Sequence, residues 1–419
     1  MAKLALTGGS KTVLRPGPHF TWPPITKTIE RAVLAQLHQS ISIYNRSGII
    51  EKFEERFKSY HHKKYGLLTS SGTEAIHTMF VAAGISRGDE VICPAYTFYA
   101  TVTPLFHVGA IPVLVDADET GNIDPALIEG KITKKTRAVI VTHMWGIPCK
   151  MEEIRRICRK HKLLLLEDCS HAHGAKYKNK LVGTWGDAAA WSLQGQKIIT
   201  GGEGGILLTD NKEIYYRSLL FGHYNKRCFQ EIPKNHPLAA YSMTGMGLKL
   251  RSHPLAVTIA SELFKHLGEI LKYKSKYADF WSRELRGVRG IRAPKIPVGA
   301  KPSWYAYVLQ YKSEELGGLP IEKFYEALRA EGCAEADMPN STCPLNLLQL
   351  FQAPGKLFPE YRNKVKYKPG DFPVAENFYH SAIKLPVWTA QEDFPFVKGY
   401  VKAIIKVCEH YKELQKEKN

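Results

Sequence analysis

The chain has 419 residues, 44% hydrophobic and 23% charged, enough to bury a sizeable core and to divide into two domains. It has no apolar run of 18 residues, which argues against a membrane span. Its eight cysteines are scattered without a CxxC pair, which argues against a disulfide framework or a structural zinc site. The net charge of +18 implies a basic surface that attracts anionic small molecules; no basic stripe, aromatic platform or motif points to nucleic acid.

Met1 to Gly9 carries no secretory leader pattern, so a cytoplasmic protein is expected, in keeping with the cysteine usage. Residues 1–25 read as irregular because Pro16, Pro18, Pro23 and Pro24 interrupt any helix. Helical patterns follow over Thr28–His38 and Ile50–Tyr60, the second with Phe53 and Phe57 on one face. Tyr65–Thr69 reads as a buried strand that runs through Ser71-Gly72-Thr73 into a helix ending near Ala83. A strand, a small-residue turn and a helix start aim free N–H groups at one point and form an anion cradle.

Further apolar strands are expected at Glu90–Pro94, Ile111–Asp116, Ala138–His143 and Leu163–Glu167, with a helix over Met151–His161. Ala188–Ser192 and Gly205–Thr209 complete seven strands. Apolar strands alternating with helices predict a mostly parallel sheet covered on both faces, with the ligand at the carboxyl ends of the strands. Residues 213–220 read as helix, 222–247 as a long loop suited to a lid or a subunit contact, and Pro254–Leu285 as helix. A smaller α/β unit follows: a strand at Trp304–Tyr311, a helix at Ile321–Glu331, a loop-rich stretch over 334–375 and a closing helix at Pro395–Leu414. The expected division is 1–265 and 266–419, with the N-terminal segment free to pack on the smaller part.

The stretch between the last two large strands carries the chemistry. Lys197 stands between Ser192 and two Gly-Gly pairs, Gly201-Gly202 and Gly204-Gly205, and the apolar run Leu163–Leu166 ends upstream in Glu167 and Asp168. A lysine that forms an imine needs a neutral amine in a close-fitting site. A pyridinium nitrogen needs a buried carboxylate. Lys197 and Asp168 together therefore read as a pyridoxal phosphate site, Lys197 forming the Schiff base and Asp168 holding the ring nitrogen protonated. His143 reads as structural and Glu203 as a residue that orients the loop or the lysine. His171, His173 and Asp168 offer no credible metal geometry, and no metal is expected.

Glu167–Ala175, Gly183–Asp187 and Ser192–Gly205 resemble the DegT/DnrJ/StrS aminotransferases. Phe53-Glu54, Ser71-Gly72-Thr73, Pro94–Thr101, His143–Gly146 and Pro373–Glu376 extend the likeness over most of the chain. The resemblance implies an α/β, fold-type-I pyridoxal phosphate enzyme with a large seven-stranded domain and a smaller C-terminal α/β domain. It implies amino transfer from L-glutamate or L-glutamine to a keto sugar, nucleotide-linked ones included, or a keto cyclitol, as in amino-sugar, surface-polysaccharide or antibiotic biosynthesis. On this likeness Lys197 is also the proton shuttle, His171 lies beside the ring, Phe98 stacks on it, and Gly72, Thr73 and Ser192 hold the phosphate. The family is usually homodimeric. Where it commonly has an asparagine that reaches the partner's phosphate, this chain has Lys249, which can act as a point charge. Two other readings stay open: a dehydratase or aromatising (aminohydroxybenzoate-type) relative, and an inactive homologue acting as a partner subunit. Lys197 weighs against the dehydratases, which carry histidine there, and the intact Lys197–Asp168 pair against inactivity.

Overall fold

Seven strands give the molecule its frame: β1 (Tyr65–Thr69), β2 (Glu90–Pro94), β3 (Ile111–Val115), β4 (Thr136–Thr142), β5 (Leu164–Asp168), β6 (Ala188–Ser192) and β7 (Gly205–Thr209). They form one sheet in the order β1-β7-β6-β5-β4-β2-β3. The computed structural model describes residues 3–15, 17, 22–223 and 225–415; Pro16, Pro18, Lys416 and Lys418 lie outside the described residues. The sheet is parallel from β6 to β3, whereas β7 runs antiparallel to both neighbours. The cause is local. A parallel return needs a crossover, usually a helix, and the stretch between β6 and β7 is the lysine loop, which folds back on itself through Gly201 N–H to Leu193 O (2.9 Å) and Leu193 N–H to Gly204 O (2.8 Å).

Apolar layers cover both faces of the sheet. On one face Ile76, Met79 and Phe80 of helix Gly72–Ala82 pack over Ala190 and Leu207. On the other, Phe53, Phe57, Trp191 and Phe264 close together, with the Phe57 and Trp191 rings 5.2 Å apart edge to face. A separate core holds Trp281, Tyr307, Trp388 and Tyr400 between helix Leu267–Glu284, helix Ile321–Ala330, helix Phe394–Glu409 and the sheet β8 (Ile291–Arg292), β9 (Tyr307–Tyr311), β10 (Ala382–Leu385), which runs β8-β9-β10. Leu4 and Val13 join that core, and Glu331 accepts from Ala5 N–H and the Thr12 hydroxyl. All eight cysteines are buried thiols. Among the described residues no helix is long and apolar enough to cross a membrane.

Several elements differ from the sequence expectation. The helix expected over 254–285 is two, Pro254–Phe264 and Leu267–Glu284, broken at Lys265 and His266 where the chain leaves the sheet for the second core. The expected loop 222–247 contains a helix, Lys226–Glu231, and a 3-10 turn, Pro237–Tyr241. Cys228 and Ile232 pack there against Leu219 and Leu220, and Glu54 holds Arg227, so this segment is anchored despite its polar composition. The strand expected from Trp304 begins only at Tyr307, because Trp304 takes a left-handed backbone (φ 55°) that ends any extended run. The closing helix is two, Phe394–Glu409 and Tyr411–Gln415. Within 334–375, Thr342–Pro344 pairs with Tyr96–Phe98.

Candidate active site

A cleft of about 520 Å³ opens at the carboxyl ends of the parallel strands, a volume within the roughly 300–1,000 Å³ usual for cofactor sites. Its lining includes Gly72, Thr73, Phe98, Asp168, His171, Ser192 and Lys197. Seven residues taken from four separate stretches of sequence thus meet around one cavity.

Each is placed by its element. Asp168 is the last residue of β5, nearly fully buried. It accepts from the Thr101 hydroxyl at Oδ2 (2.7 Å) and from Ser170 N–H at Oδ1 (3.0 Å). Behind Thr101 lie Thr97 (2.8 Å) and Thr142 (3.2 Å), so a buried threonine cluster fixes the carboxylate. Its neighbour Glu167 points to the opposite face, as alternation along a strand requires. There it accepts from Gly183, Trp185 and Gly186 N–H groups at 2.6–2.8 Å and lies 3.3 Å from His143 Nε2. Burial would raise the Glu167 pKa, but His143 and these N–H donors hold it below the usual carboxylate range. His143, Glu167 and Cys169 lie close enough to suggest a metal trio. The Glu167 oxygens are already saturated by donors, and Glu167 instead anchors the 183–186 turn.

Lys197 sits half-buried at the tip of its loop, its N–H bonded to Gln194 O (2.9 Å) and its carbonyl accepting from the Trp22 indole (3.1 Å). Its ammonium lies 4.8 Å from the centre of the Tyr305 ring. Burial pushes its pKa down to about 8; Asp168 opposes this and Lys384 adds to it. His171 stacks on Tyr305 at 4.1 Å and 5°, with Trp145 5.6 Å away on a near-parallel plane. Burial, with Lys197 and Lys384 nearby, holds His171 well below its ordinary pKa, so its ring is neutral. Its Nδ1 is buried and makes no hydrogen bond among the described residues.

At the other end of the cleft the helix beginning at Gly72 is capped by Ser71, which accepts from Glu74 N–H (3.1 Å). A Cβ on Gly72 would stand 2.6 Å from Ser192 Cβ, so only glycine lets the helix start and the end of β6 approach this closely. The result is a cradle of N–H groups and two hydroxyls. A phosphate cradle at one end, a buried carboxylate at another, a lowered lysine and an unpartnered neutral imidazole between them fit pyridoxal phosphate.

Lys249 lies elsewhere. It lines a separate pocket with Tyr44, Lys226 and Arg251, where Lys226 and Arg251 flank the Tyr44 ring at 5.1 and 5.3 Å. It does not reach the cleft of its own chain. Sequence reasoning missed Thr101, Trp145, Tyr305 and Lys384. The first two lie inside the stretches that carry the family likeness, while Tyr305 lies in the loop before β9 and Lys384 on β10, where no local pattern marks them.

The family model of the DegT/DnrJ/EryC1/StrS aminotransferases matches residues 24–394. GDP-perosamine synthase of Escherichia coli O157:H7 is 30% identical over 93% of this chain and 96% of its own. L-glutamine:scyllo-inosose aminotransferase of Streptomyces griseus is 26% identical over 99% of this chain and 100% of its own. The aminotransferase structure from Psychrobacter cryohalolentis superposes with a TM-score of 0.82 at 24% identity, covering 94% and 99% of the two chains. The chain therefore belongs to the DegT/DnrJ/EryC1/StrS aminotransferase family, and its cofactor is pyridoxal phosphate.

Proposed function

We propose that this enzyme moves an amino group from L-glutamate or L-glutamine to a keto sugar, nucleotide-linked sugars included, or to a keto cyclitol. The observation that carries this reading is the lining of the cleft mouth. Gln194, Gln196, Glu203, Asp337, Asn340 and Ser341 offer hydrogen-bonding groups suited to a polyhydroxylated acceptor, and full-length relatives bear sugar and cyclitol names.

When bound, the cofactor supplies an aldehyde that takes up the amino group and a ring that accepts the electrons of the broken bond. Asp168 Oδ, fixed by Thr101 and Ser170, would keep a proton on the ring nitrogen. Phe98 and His171 would flank the ring, and Gly72, Thr73 and Ser192 would hold the phosphate. Lys197 Nζ would anchor the cofactor and, once displaced by the donor, take the proton from the donor's α-carbon and deliver it to the carbon on the far side of the shared nitrogen. Its lowered pKa suits both tasks, because a base works best near its operating pH. Tyr305 and Trp145 close that side of the cleft against water.

A homodimer completes the reading. Leu34, Leu37, Ile41, Tyr44, Met243, Met246 and Leu248 are exposed apolar side chains on the two segments that border the Lys249 pocket, and a second copy would cover them. Lys249 would then serve the partner's phosphate. The break at Lys265 and His266 supports a division into 1–265 and 266–419, with Leu4 and Val13 packed on the second unit. The cysteine usage supports a cytoplasmic setting.

The test is a screen of purified holoenzyme with glutamate or glutamine against keto sugars, nucleotide-linked keto sugars and keto cyclitols. An aminated acceptor is expected. An enzyme that transfers amino groups only between amino acids and keto acids would overturn the acceptor class.

A further inference from the structure

Lys274, on helix Leu267–Glu284, is buried to 3% exposure yet has no carboxylate partner among the described residues. Its ammonium donates instead to two backbone carbonyls, Trp304 O at 2.9 Å and Val387 O at 2.6 Å. Both lie beside the cleft wall. Trp304 precedes Tyr305, the ring that stacks on His171 and faces Lys197. Val387 follows β10, whose Lys384 lines the cleft and pairs with Asp337 at 2.7 Å. Trp304 is also the residue in left-handed backbone, a costly conformation for a bulky side chain that persists only where its surroundings hold it.

We infer that Lys274 is a positioning residue that pins the Tyr305 loop and the Lys384 strand together and so sets the wall of the cofactor cleft. A methionine would fill the same volume without the desolvation cost of a buried amine, and burial does push Lys274 down to about 7. What lysine supplies is two donors, directed at carbonyls on segments that are distant in sequence. The other ties of the loop run to the sheet domain: Ser303 N–H to Gly146 O (3.0 Å), the Ser303 hydroxyl to His171 O (3.1 Å) and Ala306 N–H to Trp145 O (3.4 Å). The loop runs on into β9, which pairs with β10 from Tyr307 opposite Leu385; Lys274 extends that junction beyond the end of the ladder, to the carbonyls of Trp304 and Val387. Its effect on the cofactor rests on the cleft being the cofactor site; the pin itself does not.

The experiment uses Lys274→Met. In the cofactor-free protein, amide hydrogen exchange at residues 303–306 and 386–388, beyond the β9–β10 ladder, should quicken about tenfold while the sheet β1–β7 is unchanged, as loss of one or two hydrogen bonds predicts. The Kd for pyridoxal phosphate should rise by a similar factor. In a Tyr305→Ala background the same substitution should add nothing to the Kd, because the pin acts through that ring. Unchanged exchange, or an equal rise in Kd with and without Tyr305, overturns the inference. If Lys274→Met does not fold, Lys274→Gln, which keeps N–H donors on a side chain one atom shorter, replaces it and should show intermediate exchange; wild-type exchange in that variant overturns the inference. A wild-type chain that takes up no pyridoxal phosphate would refute the cofactor reading, and the exchange data would still decide the pin.

Discussion

Beneath β1, Glu54 and Arg227 are at least as buried as the charged groups of the cofactor cleft, yet the two regions treat their charges in opposite ways. Glu54 accepts from Arg227 Nη1 (3.0 Å) and Nη2 (2.8 Å) and from Leu68 N–H (2.9 Å), while Arg227 Nε donates to Glu231 (2.6 Å). Every oxygen has its donor, and the cluster locks Leu68 just before the phosphate cradle. In the cleft, Lys197 has no ion-pair partner among the described residues, and the buried His171 Nδ1 has no hydrogen bond. Saturation marks the first as scaffold; in the second, an unpaired lysine and an open imidazole nitrogen border a cavity of about 520 Å³, room for a ligand.

The sharpest way to test that contrast is to remove the central unsatisfied group. Lys197→Ala should cost at least about 10⁴-fold in kcat, since the chain loses both its anchor and its base. The holoenzyme band near roughly 420 nm, general for a cofactor bound to lysine, should vanish while the thermal midpoint of the cofactor-free protein stays put. A Lys197→Ala protein that keeps its colour and turnover would place the chemistry on another lysine.

The scaffold should fail in the reverse sense. Arg227→Met leaves Glu54 buried without its main partner, a change that costs about 3–5 kcal/mol. Urea unfolding should show that loss, while the folded fraction keeps its visible spectrum and a kcat close to wild type at low temperature. Equal losses in stability and in kcat would mean that the two regions are one device.

Asp168→Asn separates charge from shape. The amide can still accept from Thr101, so the fold and the cleft should persist, but the ring nitrogen loses its counter-charge. A fall in kcat of about 10²–10³-fold is expected, the scale of one preorganised electrostatic contact. Steady-state kinetics beside an unchanged unfolding curve would confirm it.

What could be read in advance follows the same divide. β1, β2, β6 and β7 were legible because continuous apolar runs end at small or acidic residues, and Lys197 with Asp168 were legible because their neighbours leave them few other uses. Tyr305 and Lys384 were not. They reach the cleft only through the packing of β9 and β10 beside the large sheet, a long-range event without a local pattern. The 226–231 helix was misread as loop because its polar composition hides an anchor, Arg227, whose partner Glu54 lies far away in sequence. Lys249 shows the same limit: the fold places it in a basic pocket with Tyr44, Lys226 and Arg251, away from the cleft.

The smallest expected effect is the most diagnostic of the cleft's electrostatics. Capture of pyridoxal phosphate by cofactor-free protein needs the neutral amine of Lys197, and burial pushes that amine down to about 8. The neutral fraction is then about one-tenth at pH 7, one-half at pH 8 and nearly complete at pH 9. The capture rate, followed by stopped-flow absorbance, should therefore climb about tenfold from pH 7 to 9 and then level off. An ordinary lysine would instead keep gaining to above pH 10. The neighbours set the sign of the shifts. Asp168 favours the charged amine and Lys384 disfavours it, so Asp168→Asn should move the plateau to lower pH and Lys384→Met to higher pH. Arg227→Met, remote and internally paired, should leave it in place. A plateau that ignored Asp168 and Lys384 alike would mean that burial alone tunes the lysine, and that the charges around the cleft serve substrate rather than base.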